Sequence, residues 1–243
     1  MSSRVESSSR SYLKSVPSII SVTRSLTHSL AFTHHFFSKI KQQNNRDDRI
    51  KFPQWGELKP KTPHGTLPVM TIDDGPMLTQ SGAMLRYAGS LDKTGTLYPT
   101  DKMFDVEQAI GVVGDLIGAW SPNLYLGMRP QKYGYAEGYN QTDEGKELIK
   151  KMRTEFVTDG GDLTKYLKYL SDLIEKNGGT FLCGGDKPTI ADCIAIPTIR
   201  NFTRGHIDHV DTGCVNNPII IAYVERFCAL PEIKGRYTTG LGA

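Results

Sequence analysis

The segment that most constrains the fold is 51–91, KFPQWGELKPKTPHGTLPVMTIDDGPMLTQSGAMLRYAGSL. Leu67-Pro68 lies in a β-rich stretch, TLPVMTI, and the letters DDG are typical of a tight hairpin turn into the partner strand PMLTQ. Gln80-Ser81 marks the point where this second strand gives way to a helix, with Ser81 as the predicted cap. The segment therefore predicts a strand, a turn, a second strand and a helix.

Only helical patterns follow the first hundred residues. Apolar residues recur at helical spacing from 101 to about 126, and a long helix is predicted to begin at Thr142 and to break at 160–161, Gly-Gly. The tetrapeptide TIAD at 189–192 has the form of a capping box, and a last helix covers about 218–227. The predicted fold class is α/β plus all-α, with a small α/β domain followed by a helical domain.

Charge is unevenly distributed, although the 243 residues carry a net formal charge of only +3. Residues 1–46 hold seven Lys or Arg and one acid, Glu6, which gives +6. The rest has 22 basic and 25 acidic residues, so its charge gives no reason to expect a nucleic acid partner. No run of about 18 apolar residues predicts a membrane span. The cysteines lack CxxC spacing and predict free thiols in a reducing compartment, without a metal site: Cys183, Cys193, Cys214 and Cys228.

Residues 1–46 have three interpretations. Their basic, Ser-rich composition is typical of an organellar transit peptide. A folded alternative has a strand within 17–22, PSIISV, and the third alternative is an incorrect gene-model start. The sequence predicts three divisions: a leader or divergent segment at 1–46, an α/β domain at 47–94 and a helical domain at 99–243. If the leader is folded, the α/β domain begins near residue 17. The predicted location is cytoplasmic, or organellar if 1–46 is a transit peptide.

The dipeptide Leu67-Pro68 is the first candidate binding element. A proline that enters a strand removes an N–H donor, and its cis form turns the backbone of the preceding residue outward. In thioredoxin-like folds, such an exposed backbone pairs antiparallel with the cysteine residue of a peptide ligand. An ordinary trans proline at a strand edge is the alternative. The dipeptide alone favours trans, whereas the residues around it favour the cis form.

Gln80-Ser81 is the second candidate. A helix N-terminus offers free N–H groups and partial positive charge to a carboxylate, although a simple helix cap is the commoner role for such a pair. TLPVMTIDDGPMLTQSGAMLRY is similar over its whole length to the glutathione-site segment of sigma-like glutathione transferases. The resemblance implies that Gln80 and Ser81 bind the γ-glutamyl carboxylate of glutathione and that Leu67 and Pro68 bind its cysteinyl backbone.

The resemblance extends over about 47–237 and implies a thioredoxin-like N-terminal domain, possibly incomplete, followed by the helical C-terminal domain of the glutathione transferases. WGELKP is similar to the family segment in which a Trp and a Lys meet the glycyl carboxylate, here Trp55 and Lys59. Asp115 is the candidate for the acid that reaches the γ-glutamyl amine, with a solvated helix position as the alternative. For the capping box at 189–192, the resemblance implies a role in folding and not in catalysis.

The group that activates the thiol is not identified. The chemistry needs a hydrogen-bond donor near the glutathione sulfur that lowers its pKa, and the resemblance implies a Tyr at the end of the first strand. No such segment stands here, and Tyr12, the only Tyr before 47, lies too far upstream. Ser21, Thr23 and Ser25 are weak hydroxyl alternatives, so the catalytic residue stays unknown.

Two functions from different classes follow. The first is a homodimeric glutathione transferase that conjugates the glutathione thiol to small electrophiles, with glutathione as co-substrate and no metal. The second is a catalytically impaired protein of the same fold with a binding or structural role, comparable to the lens crystallins derived from these enzymes. A glutathione-dependent isomerase is a narrower variant of the first.

Overall fold

The computed structural model describes residues 20–21, 46–47, 50, 52–72, 75–234 and 241. Within these residues, two short strands, β1 (Ile20–Ser21) and β2 (Arg46–Asp47), precede a series of helices. Several 3-10 turns connect the α-helices, which are α1 (Phe52–Leu58), α2 (Ser81–Ser90), α3 (Met103–Tyr125), α4 (Asp143–Val157), α5 (Asp162–Lys176), α6 (Ile190–Thr203) and α7 (Pro218–Cys228).

Strands β1 and β2 pair in parallel, with Ile20 opposite Arg46 and Ser21 opposite Asp47. Strand β1 lies inside the segment 17–22, for which a strand is one of the interpretations from sequence. The rest of the first 49 residues lies outside the described part of the chain, so the predicted domain boundaries stay predictions.

The predicted hairpin is reduced to one antiparallel bridge between Met70 and Leu78. The two residues exchange both backbone hydrogen bonds, at 3.0 Å from the Met70 N–H and 2.7 Å from the Leu78 N–H. The N–H of Gly75 donates to the carbonyl oxygen of Ile72 at 2.9 Å, whereas the two aspartates of the predicted turn lie outside the described residues. The two segments therefore lie side by side without forming long strands.

The helical domain agrees with the predictions from periodicity and caps. Helix α4 begins after Thr142, whose side chain accepts a hydrogen bond from the N–H of Gly145 at 3.0 Å. The predicted break is present between α4 and α5, and a Cβ atom on Gly161 would lie only 2.4 Å from the carbonyl oxygen of Glu155. The backbone of residue 161 can come this close to the last turn of α4 only because Gly161 has no side chain.

Helix α6 forms the centre of the main hydrophobic core. Its capping box is present as predicted, with Thr189 as N-cap and Asp192 at the third helical position. Helix α3 packs against α4, α5 and α6, and α2 packs against α6, so the N-terminal region is joined to the helical core. Three isoleucines of α6 are fully buried: Ile190, Ile196 and Ile199. This packing fixes α2, whose first turn is part of the candidate site.

Candidate glutathione site and a pocket in the helical domain

The Met70–Leu78 bridge brings the two main candidate elements together. Pro68 lies two residues before one partner of the bridge, and Gln80 lies two residues after the other. Paired antiparallel segments run about 4.7–4.9 Å apart, so the two elements are neighbours on adjacent extended segments. A ligand lying along one of them can therefore reach the other.

The peptide bond between Leu67 and Pro68 is cis. This confirms the form favoured by the surrounding sequence, and the trans alternative is wrong. Pro68 is buried, whereas Leu67 is half-buried and lies next to the solvent. Leu67 is therefore partly accessible from solvent at this point of the chain.

Gln80 and Ser81 lie at the start of α2, but the predicted cap is wrong. Gln80 occupies the N-cap position with a left-handed φ of +71°, no side chain caps the helix, and Ser81 is the first helical residue. The carbonyl oxygen of Gln80 accepts from the N–H groups of Ala83 and Met84 at 3.0 and 3.1 Å. The hydroxyl of Ser81 is thus left unused by its own helix, and the first turn keeps uncapped N–H groups that suit a carboxylate.

Trp55 and Lys59 precede a turn that contacts the segment leading into α2. Trp55 is half-buried in α1, and the carbonyl oxygen of Lys59 accepts from the Thr62 N–H at 3.3 Å. Nδ1 of His64, in the next turn, lies 3.5 Å from the hydroxyl of Thr79, the residue before Gln80. The turn that follows Lys59 therefore contacts the segment that leads into α2.

The structure does not connect Asp115 with this site. Asp115 is exposed on α3, and no hydrogen bond or ion pair within the described residues joins it to the segment 55–81. Within a single chain, the surroundings of Asp115 therefore favour the alternative in which it is a solvated residue of the helix. Of the hydroxyl alternatives for thiol activation, Ser21 ends β1, while Thr23 and Ser25 lie outside the described residues, as does Tyr12.

A pocket of about 140 Å³ lies between the second half of α3 and α6. Its walls are mainly apolar and aromatic, and the polar groups among them are neutral. The lining residues are Leu116, Ile117, Trp120, Ser121, Leu124, Tyr125, Pro197, Thr198, Asn201 and Phe202. The two helices are far apart in sequence, so only the helical spacing of apolar residues in each could have indicated these walls.

Trp120 combines a core position with a place in this pocket. Its ring packs against Phe156 and Phe202 at centroid distances of 4.9 and 5.0 Å, so it is part of the hydrophobic core. Its Nε1 is buried and has no hydrogen-bond partner among the described residues. Outside the pocket, in the loop after α3, Tyr135 stacks on Tyr139 at a centroid distance of 4.4 Å.

An ion pair that sequence reasoning missed joins α2 to α3. Arg86 donates from Nε to Oε1 of Glu107 at 2.8 Å and from Nη2 to Oε2 of the same carboxylate. The hydroxyl of Tyr98 also donates to Oε1 of Glu107, at 2.7 Å. The Arg86 hydrogen bond lowers the pKa of Glu107, and the same hydrogen bond raises the pKa of Arg86. The pair therefore stays charged at neutral pH.

The four protein thiols are poorly suited to act as nucleophiles. None of the four forms a disulfide within the described residues, and burial raises the pKa of Cys183 to about 12 and that of Cys214 to about 11. Burial also raises the pKa of Cys193 and of Cys228. Since the thiolate is the reactive form, burial makes these thiols weak nucleophiles at neutral pH.

Within the described part of the chain, no group of three or more His, Cys, Asp or Glu residues is arranged to hold a metal ion. No helix among the described residues is long and apolar enough to cross a bilayer.

Comparison with known proteins gives sequence and structural similarities that cover most of the chain. Residues 133–237 match the family model described as "Glutathione S-transferase, C-terminal domain". A protein named glutathione S-transferase 1 from Ascaris suum is 26% identical over 195 residues, which covers 77% of this chain and 80% of the relative. A maleylacetoacetate isomerase from Rhizobium meliloti is 27% identical over 172 residues, or 70% of each chain.

A solved structure of a glutathione transferase homologue from sulfitobacter, with bound glutathione, superimposes with a TM-score of 0.62. It is 16% identical and covers 89% of this chain and 95% of that one. At this identity the likeness establishes the fold, which is α/β in the N-terminal region and all-α in the C-terminal domain.

Proposed function

We propose that this chain, whose sequence and fold support its membership of the glutathione S-transferase family, conjugates the thiol of glutathione to small electrophiles. The sulfur of the glutathione thiolate would attack the electrophilic carbon of the acceptor, form a carbon–sulfur bond and expel the leaving group. The described cysteines, with their raised pKa values, agree with a reaction in which glutathione supplies the sulfur.

The observation that carries this proposal is the convergence around the Met70–Leu78 bridge. Leu67 would hydrogen-bond the cysteinyl backbone of glutathione, with Pro68 fixing the local chain direction. Gln80 and Ser81 would hold the γ-glutamyl carboxylate at the uncapped start of α2. Supporting this, the two segments are hydrogen-bonded neighbours at 2.7 and 3.0 Å.

Trp55 and Lys59 would hold the opposite end of the tripeptide, its glycyl carboxylate. Lys59 is exposed, and its side chain runs along Gly65, where a Cβ atom would lie 3.6 Å from its Cγ and Cε. Its stem therefore packs on the chain while its ammonium group is available to an anion. Asp115 would contribute only if it reaches the γ-glutamyl amine of a partner subunit in the proposed homodimer.

The pocket between α3 and α6 would take the acceptor. Its aromatic walls, Trp120 and Phe202 among them, suit an apolar molecule, and Ser121 and Asn201 offer neutral hydrogen-bonding groups. The sigma-like subclass that we propose rests on the similarity of the segment from Thr66 to Tyr87.

Two other functions would use the same fold, a narrower variant of the enzyme and a rival from a different class. An isomerase that uses glutathione is favoured by the similarity to the protein named maleylacetoacetate isomerase. A binding or structural protein without turnover is favoured by the absence from the sequence of the Tyr segment that the family uses to activate the thiol.

A paired measurement on the full chain separates these functions. The transferase proposal predicts retention on immobilised glutathione, with elution by free glutathione, and conjugation of 1-chloro-2,4-dinitrobenzene with release of chloride. Retention without turnover of this or other electrophiles would favour the binding protein. Turnover of a cis-enone acid without conjugation would favour the isomerase, and absence of retention would contradict the glutathione site itself.

A further inference from the structure

Arg86 forms hydrogen bonds in two directions from the middle of α2. Nη1 donates to the carbonyl oxygen of Gly82 at 3.0 Å, in the first turn of its own helix. Nε and Nη2 donate to the two carboxylate oxygens of Glu107 on α3, Nε at 2.8 Å. One planar guanidinium thus connects the start of α2 with the first helix of the helical domain. The fork geometry of Arg holds both ends in fixed directions.

The guanidinium lies close to the backbone of the first turn. A Cβ atom on Gly82 would lie 3.1 Å from Nη1 of Arg86, so the residue beside Ser81 leaves little room for anything larger. The hydroxyl of Tyr98, in the connection between the two helices, donates to Glu107 at 2.7 Å. The carboxylate of Glu107 is therefore held by α2 and by the connection as well as by its own helix.

The second half of α2 is fixed by packing instead. Leu85 and Ala88 are part of the main core, and a Cβ atom on Gly89 would lie 2.7 Å from Cγ2 of Ile190 on α6. The first turn, in contrast, includes the exposed Ser81 and extends beyond these contacts. The hydrogen bonds of Arg86 link this turn to the helical domain through the carbonyl oxygen of Gly82 and the carboxylate of Glu107.

We propose that Arg86 is a positioning residue for the glutathione site, which it serves by fastening the first turn of α2 to Glu107 on α3. This inference rests on the proposed function, because it assumes that the same turn receives the γ-glutamyl carboxylate. Hydrogen-bond donors for a carboxylate need to be held within about 0.5 Å of their productive position. Arg86 itself does not touch the ligand, and it acts through the peptide groups of residues 81–83.

The ion pair is partly exposed, with 39% of the Arg86 side chain and 33% of the Glu107 side chain accessible. Pairs of this kind contribute little to global stability. The effect of breaking it should therefore appear in the order of the first turn and in ligand affinity, more than in the unfolding midpoint. That difference separates a positioning role from a merely structural one.

The test uses the full chain and three variants of the pair, which are Arg86→Gln, Glu107→Gln and the double substitution. Lys168→Gln is the matched control, since Lys168 pairs with Asp172 at 2.8 Å on the exposed face of α5. Hydrogen–deuterium exchange without ligand follows the amides of Ala83 and Met84, which donate to Gln80. Titration calorimetry then measures the affinity for glutathione.

We expect several-fold faster exchange at the first turn of α2 in each variant of the pair, and no change in the Lys168→Gln control. The glutathione Kd should rise about five- to tenfold in either single variant, with no further rise in the double variant. Unchanged exchange would overturn the proposal, and so would faster exchange with an unchanged Kd. If the wild-type chain fails to bind glutathione, the proposed function is contradicted. The exchange measurement then decides by itself whether Arg86 holds the turn.

Discussion

The hydroxyl of Tyr223 on α7 donates a hydrogen bond to Oδ1 of Asp192 on α6, at 2.9 Å in the fully buried core. The same carboxylate accepts from the backbone N–H groups of Leu182 and Thr189, at 3.0 and 2.7 Å. Burial raises the pKa of Asp192, and these donors oppose the rise. One side chain thus ties together the start of α6, the loop before it and α7.

Removing this carboxylate should be strongly destabilising. Asp192→Ala leaves two backbone N–H groups and the Tyr223 hydroxyl unpaired in the core, and we expect a loss of about 3–5 kcal/mol in the free energy of unfolding. Tyr223→Phe removes one donor and should cost about 1–2 kcal/mol. Urea unfolding monitored by circular dichroism measures both. Equal, small effects of the two substitutions would contradict this account of the core.

Gly89→Ala should also destabilise the chain, because its Cβ atom would lie 2.7 Å from Ile190 and 3.0 Å from Cβ of Tyr98. Overpacking of this kind costs about 1–3 kcal/mol. Gly111→Ala on α3 is the matched control, since a Cβ atom there meets nothing within 4 Å. Because Ala has a higher helix propensity than Gly, this control substitution should raise the free energy of unfolding by up to about 1 kcal/mol. Thermal unfolding of both variants measures whether the midpoint falls in Gly89→Ala and rises in Gly111→Ala. A lower midpoint in the control together with an unchanged midpoint in Gly89→Ala would contradict the close packing of Gly89 against Ile190.

The Arg86–Glu107 pair should contribute a small, pH-dependent part of the free energy of unfolding. The Arg86 hydrogen bond lowers the pKa of Glu107 in the folded state, so folding favours the ionised carboxylate. This contribution is fully present above the unfolded-state pKa, about 4.3, and is lost as the pH falls through the lower folded-state pKa. The stability difference between the wild type and Glu107→Gln should therefore shrink on acidification from pH 7 to about 3. Urea midpoints measured across this range check it, and a difference that grows on acidification would be inconsistent with the pair.

The cysteines should react slowly in the native protein. Burial raises the pKa of Cys214 to about 11, so only a very small thiolate fraction exists at pH 7.5. Cys214 is half-buried and the other three are buried, so it should be alkylated first, but far more slowly than in urea-unfolded chain. Iodoacetamide labelling followed by mass spectrometry measures the four rates. Rapid labelling of any of them in the folded protein would contradict the assigned environments.

Local signals in the sequence were enough to predict the helical domain. The capping box at Thr189, the N-cap at Thr142 and the glycine break before α5 are each determined within a few residues, and the structure has all three. The cis form at Leu67–Pro68 needed the wider resemblance, because the dipeptide alone favours trans.

The features that the sequence did not predict depend on backbone conformation or on distant residues. Gln80 adopts a left-handed φ, which shifts the cap from Ser81 by one residue, and no propensity of Gln indicates this. Arg86 and Glu107 lie 21 residues apart on different helices, so their pairing follows only from how α2 and α3 pack. The pocket between α3 and α6 arises in the same way.

The most direct test of the central claim is calorimetric titration of glutathione into the full chain and into two serine variants of α2. Ser81 begins this helix and Ser90 ends it, and both are exposed. We predict measurable binding to the wild type, a Kd raised about tenfold in Ser81→Ala by loss of a hydrogen bond to a charged group, and an unchanged Kd in Ser90→Ala. Absence of binding to the wild type, or equal affinities of the two variants, would contradict a glutathione site at the start of α2.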